Sequence, residues 1–245
     1  MTAKVKIGWQ HPVDEADQWD GFNDTGMEHF TGSPIQHLAR EVNQNSLDAA
    51  DEGIVEVKIR LHHVNVAEIP NLPELKANFA ACHEASLAES KKAEIFFESA
   101  LGELNKNKIS VLEISDYQTR GMRGPAENGT PFFAFMKAKG QSRKSHQAAT
   151  GSYGIGKFAP YVVSKLRTIF ISTVYQDDSG AFVQLTQGKS ILMSHDVAGK
   201  RRQGVGFWGV REKCLPVEGV VAELPQWIQR TSSAKEMSAS VVLLS

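Results

Sequence analysis

The stretch "LAREVNQNSLDAAD", residues 38–51, decides how the chain is read. Ser33 and Pro34 just before it set a helix start, with Ser33 at the N-cap and Pro34 at the first helical position. A helix turning about 100° per residue puts Glu41, Asn45 and Asp48 on one narrow stripe. Leu38, Val42 and Ala49 form the core stripe beside it, and Arg40, Asn43, Gln44 and Asp51 take the solvent side. Two carboxylates and an amide thus run along the edge of the buried face although a polar face is available. Half-burying a carboxylate is unfavourable unless something pairs with it. Alone, the stretch fits a capped surface helix equally well.

Outward from this helix, "GIVEVKIRLHH" (53–63) alternates as a half-buried strand and "KISVLEISD" (108–116) ends a second strand in Asp116. Residues 73–105, rich in Ala, Glu, Lys and Leu, predict one long helix or two shorter ones. Residues 117–152 lack steady periodicity, and a helix is expected from about 155 to 165. "RTIFISTVY", "GAFVQLTQG", "KSILMS" and "GVGFWGVRE" predict the strands of a meander, and Gly204 and Gly206 read as strand or turn. "VEGVVAELPQWIQR" (217–230) predicts a helix, and "SASVVLL" (238–244) a closing strand. Helices come early and strands late, without regular βαβ alternation, so an α+β two-layer sandwich is expected. Residues 1–32 read as an N-terminal arm and 33–245 as one domain.

Composition narrows the function. Lys and Arg number 27 against 28 Asp and Glu, a formal charge of −1, so nothing announces a nucleic-acid or membrane surface. The polar N-terminus does not read as a secretory signal, and no apolar run approaches membrane-spanning length. Cys82 and Cys214 are far apart, and no histidine pair has metal-ligand spacing. A reduced, cytoplasmic setting without bound zinc is the expectation.

The other chemical signal is "ATGSYGIGKFAP", residues 149–160. Gly151 to Lys157 fits the front of a P-loop, G-x-x-x-x-G-K. A P-loop follows a buried strand and ends in a Ser or Thr whose hydroxyl binds Mg²⁺. Here the preceding residues are small and polar, and Phe158 offers no hydroxyl, so that reading fails. Asp116, at a strand end before Gly121 and Met122, suits a single acceptor for a ligand's amino group; an ordinary strand-to-turn aspartate is the plainer alternative.

Taken in order, "EVNQNSLDA" (41–49), "DYQTRGM" (116–122) and "GSYGIGK" (151–157) resemble the ATP-binding domain of the GHKL superfamily. Its members include DNA gyrase B subunits, ninety-kilodalton heat-shock chaperones, sensor histidine kinases and MutL-type repair proteins. The first motif is a strong match, and the third is similar to the chaperone and MORC branches. The second departs from D-x-G-x-G: Gln118 replaces the first glycine and Gly121 lies one residue late. The resemblance covers roughly residues 34–170.

The resemblance implies a Bergerat-type two-layer sandwich with a mixed, largely antiparallel sheet and helices on one face. It implies that Glu41 is the general base for the water attacking the γ-phosphate of ATP and that Asn45 holds Mg²⁺. Asp48 would support the pocket floor, and Asp116 would accept a hydrogen bond from the adenine amino group, beside Gly121 and Met122. Gly151, Ser152, Tyr153, Gly154, Ile155, Gly156, Lys157 and Phe158 would form the phosphate loop and the helix start behind it. Residues 118–157 would be a lid, with Ser142, Arg143 and Lys144 either meeting phosphates or forming a solvated basic loop. Ala239 and Ser240 stand where the family has Gly-Thr, so Ser240 would supply a hydroxyl on the adenine side. The implied activity is a slow, Mg-dependent ATPase acting as a conformational switch, through an ATP-dependent homodimer and a downstream or partner domain. A histidine-kinase-type phosphotransferase and a nucleotide-binding module without hydrolysis are the alternatives.

Overall fold

The computed structural model of the chain describes residues 5–51, 53–138, 156–230 and 237–244. The helix expected from residue 34 forms as α2, Pro34–Asp48, after a short α1, Thr25–Glu28. Pro34 lies in its first turn, although the Ser33 side chain makes no capping bond. Residues 73–105 divide into two helices, α3 (Leu72–Ser86) and α4 (Lys91–Leu104), the second capped by the Ser90 hydroxyl on Ala93 N–H. Two short helices complete the set: α5, Pro131–Met136, and α6, Ala159–Val163, which follows a 3-10 turn at Gly156–Phe158. No described helix is long and apolar enough to cross a membrane.

The strands are β1 (Ile7–Gln10), β2 (Glu56–Asn65), β3 (Lys108–Tyr117), β4 (Thr168–Gln176), β5 (Phe182–Ile191), β6 (His195–Val197), β7 (Lys200–Arg202), β8 (Val205–Val210), β9 (Val217–Glu218) and β10 (Ser238–Leu244). The main sheet has 8 strands in the order β1-β8-β5-β4-β10-β3-β2, with β9 beside β5; β6 and β7 form a separate hairpin. Every described strand pair is antiparallel. The closing strand therefore enters the middle of the sheet, between β3 and β4.

Alternation along the central strands divides the core in two. Leu243, Ile114, Ile169 and Ile171 pack with Leu38 of α2, Phe132 of α5 and Tyr161 of α6. This is the expected α+β sandwich. Val242, Leu244, Val111 and Phe170 point the other way and pack with Leu75 and Phe79 of α3 and Phe97 of α4. The α3–α4 hairpin thus covers the reverse face, which corrects the expectation that the helices share one face.

Local readings also need correction. "GAFVQLTQG" and "KSILMS" merge in β5, which runs without interruption to Ile191. Residues 217–230 do not form a helix: Val217 and Glu218 pair with β5, and Gly219 follows with φ of 81°. The N-terminal segment is built into the domain. Ile7–Gln10 pairs with β8, Phe22 is buried, and the Arg167 guanidinium lies 3.8 Å from the Phe22 ring centroid while donating to the Phe22 carbonyl.

The same segment buries His11. Its Nδ1–H donates to the Gln203 carbonyl at 2.9 Å, leaving Nε2 to accept from the Ser190 hydroxyl at 3.3 Å. Burial, reinforced by His195, pushes its pKa down from 6.5 to about 3. The unfolded chain binds a proton below 6.5 that the folded chain refuses until about 3, so stability is lost as pH falls through that window. Urea midpoints at pH 7 and pH 4.5 check this. The native chain is expected to lose about 2–3 kcal/mol more than a His11→Gln variant over that interval; equal losses would remove His11 from the account.

Candidate functional site

The register of the sheet sets out the site. Val57 faces Asp116, and Ala239 faces Thr173, which faces Leu185. Asp116 lies at the end of β3 on the side covered by α2. Its Oδ1 accepts from the Ala239 backbone N–H at 2.8 Å and from the Thr119 hydroxyl at 2.9 Å. Among the described residues its Oδ2 accepts a long bond, 3.3 Å, from the Ser46 hydroxyl of α2 and no other. Burial raises the carboxyl pKa above its ordinary 3.8, opposed by those three donors and by Arg230. A carboxylate oxygen has about two lone-pair sites, so Oδ2 keeps capacity for a further donor such as an amino group.

The turn after Asp116 is fastened to the end of α2. Arg120 N–H donates to the Ala49 carbonyl at 2.8 Å, and the Arg120 guanidinium donates to the Asp48 carbonyl at 3.1 Å. Gln118 is left-handed with φ of 57°. Gly121 is left-handed too, φ 62°, and lies flat on the sheet. A Cβ there would overlap the Val174 carbonyl and lie 3.0 Å from Thr173 Oγ1. Met122 N–H donates to that same Thr173 hydroxyl at 2.8 Å. The turn thus has two left-handed positions, one of them occupied by glutamine at a conformational penalty.

Glu41 lies two helical turns before Asp48 and is partly buried. A Cβ on Gly156 would overlap the Glu41 carboxylate, so glycine there leaves this side chain room in its observed position. Asn45, one turn on from Glu41, is exposed. α2 therefore carries Glu41 beside Gly156 and Ser46 beside Asp116. Gly151, Ser152, Tyr153, Gly154 and Ile155, with Ser142, Arg143 and Lys144, lie outside the described residues.

Three expected roles do not match the observed contacts. The Lys157 ammonium donates to the Ala134 carbonyl at 3.2 Å and to the Ala138 carbonyl, at the C-terminal end of α5 where the helix dipole favours a cation. Burial lowers its pKa. In this state it is not directed at a phosphate. Phe158 packs in the core, its ring against Gly26. Ser240 faces Ser115 on the reverse side of the sheet, 3.0 Å away, where Ser115 in turn donates to Glu113. The hydroxyls on the Asp116 side come instead from Ser46, Thr119 and Thr173. Ser46 lies on the helical wheel about 40° beyond Val42, outside the 38–42–49 stripe, so the sequence gives it no clear signal; Thr173 has none either, because its position depends on non-local pairing.

Asp116 thus offers acceptor capacity at one end of α2 and Glu41 a partly buried carboxylate nearer its start. Among the described residues no group of three His, Cys, Asp or Glu could hold a metal. Magnesium here would take its oxygens from phosphates, waters and the Asn45 amide, a set magnesium accepts.

The turn geometry makes a stability prediction. Gly121→Ala adds left-handed strain and a backbone overlap, and is expected to cost about 2–4 kcal/mol by urea denaturation. Gln118→Gly is expected to be neutral or to stabilise by up to about 1 kcal/mol; a Gly121→Ala chain as stable as the native one would contradict this turn. Compared with known proteins, the chain matches no family model, and no curated protein matches it.

Proposed function

We propose that the chain is a Mg-dependent ATP-binding and ATP-hydrolysing module that works as a slow conformational switch in the cytoplasm, coupled to a downstream or partner domain. The observation that carries the reading is the joining of α2 to two distant segments: Ser46 to Asp116, and Glu41 to Gly156. Those are the three stretches whose order resembles the GHKL ATPases.

In this reading the Asp116 carboxylate accepts the adenine exocyclic N–H, which selects adenine over guanine because guanine carries a carbonyl at that position. Thr173 and Thr119 hold the turn that lines the base. Asn45 offers its amide oxygen to magnesium, which when bound neutralises phosphate charge. Glu41, one turn away, orients a water and takes its proton as that water attacks the terminal phosphorus; the leaving group is ADP. Lys157 is held by carbonyls at the end of α5 and must leave them to meet a phosphate, which accords with slow turnover.

Calorimetric titration with a non-hydrolysable ATP analogue and magnesium tests the reading, alongside phosphate release from ATP. Asp116→Asn removes a charged acceptor and is expected to weaken binding about 10- to 100-fold. Glu41→Ala is expected to leave affinity within about threefold and lower phosphate release by at least about 10²-fold. On acidification affinity should fall at a higher pH than a free aspartate would give, because protonation of Asp116 removes an acceptor lone pair. No binding by the native chain, or normal turnover by Glu41→Ala, would overturn the assignment; stable label on protein from γ-labelled ATP would point to a kinase.

A further inference from the structure

The two edges of the main sheet are treated differently. At β1 the Trp9 N–H is satisfied by Glu74 of α3 at 2.8 Å, and Glu74 is itself paired with Arg211. At the other edge, the 10 residues of β2 pair only with β3 among the described residues. Its side facing the α2 layer carries Val57, Ile59 and Leu61 in alternation; Ile59 and Leu61 are each 62 % exposed, and Ile54 just before the strand is 84 % exposed. Soluble proteins blunt such edges with inward charges, proline or a bulge. The apolar side of β2 has none of these, and its charges, Glu56, Lys58 and Arg60, all lie on the reverse side. A ten-residue edge whose one side is apolar and exposed reads as an interface.

We propose that β2 is a self-association edge, where two copies of the chain pair antiparallel about a twofold axis and continue the sheet from one protomer into the other. The strand's own sequence supplies the complementarity. With Lys58 on the axis, Val57 faces the second copy's Ile59 and Val55 faces its Leu61, each twice by symmetry. On the reverse side Glu56 faces the second copy's Arg60, also twice, which outweighs the single Lys58–Lys58 apposition. Shifting the axis to Arg60 apposes two arginines and leaves Glu56 facing Val64, and shifting it to Ile59 puts Lys58 against Arg60. This association needs no nucleotide, so it is separate from any ATP-dependent dimer.

One strand pair is a small interface, so a dissociation constant of the order of 10 µM is expected. Sedimentation velocity of the nucleotide-free chain from about 1 to 100 µM should pass from monomer to dimer, and Ile59→Lys with Leu61→Lys should remain monomeric while circular dichroism is unchanged. The register is tested by single cysteines, since Cys82 and Cys214 are both buried. Lys58→Cys should form a disulfide-linked dimer on mild oxidation, and Leu61→Cys, whose counterpart is Val55, should not. A native chain that stays monomeric at 100 µM, or a dimer in which the charged Ile59/Leu61 variant still associates or Lys58→Cys fails to cross-link, overturns the proposal. Each outcome is independent of whether ATP binds.

Discussion

A carboxylate taken out of water must be satisfied by donors already in place, and Asp116 is satisfied from three separate parts of the chain. The Ala239 N–H comes from the closing strand, the Thr119 hydroxyl from the following turn and the Ser46 hydroxyl from α2. β10 can reach Asp116 only because it enters the sheet beside β3. α2 can reach it only because its inward stripe includes a serine where an apolar residue would otherwise pack. The position of this one group therefore depends on the register of the sheet centre and on how α2 sits across it.

The rest of the site follows from that anchoring. Once Ser46 is held at the Asp116 end, the helical repeat carries Glu41 along α2 to Gly156, where the absence of a Cβ admits its carboxylate. The Asp116 turn is tied back to the end of α2 through Ala49 and Asp48, and onto the sheet through Thr173. Glu41 and Asp116 are thus fixed on rigid elements. Lys157 is held differently, by carbonyls at the end of a six-residue helix, and can exchange those partners more readily than a group bonded within the sheet.

Much of this is legible in the order of residues, for identifiable reasons. Pro34 and the spacing of Leu38 and Val42 are local signals, and they are enough to place α2. The unbroken apolar run at 241–244 is enough to mark a central strand. What is not legible depends on partners distant in sequence. Choosing between Ser240 and Thr173 requires the pairing of β10 with β4, since a one-residue change of register exchanges the faces. The Lys157 partners lie in α5 and just after it, distant in sequence. Residues 217–230 carry helix-like spacing, but pairing of Val217 with β5 and the positive φ of Gly219 prevail. The division of the helices between two faces becomes evident only when the two sides of β3, β4 and β10 are followed to their separate cores.

The central claim is that Asp116 and Glu41 face the two ends of one bound nucleotide. A crystal structure of the chain with magnesium and a non-hydrolysable ATP analogue tests it most directly. The adenine amino nitrogen is expected within about 3 Å of Asp116 Oδ2, and the Glu41 carboxylate turned toward the terminal phosphoryl group, separated from it by a water. A nucleotide bound elsewhere, or bound here with Glu41 turned from the phosphates, would contradict it.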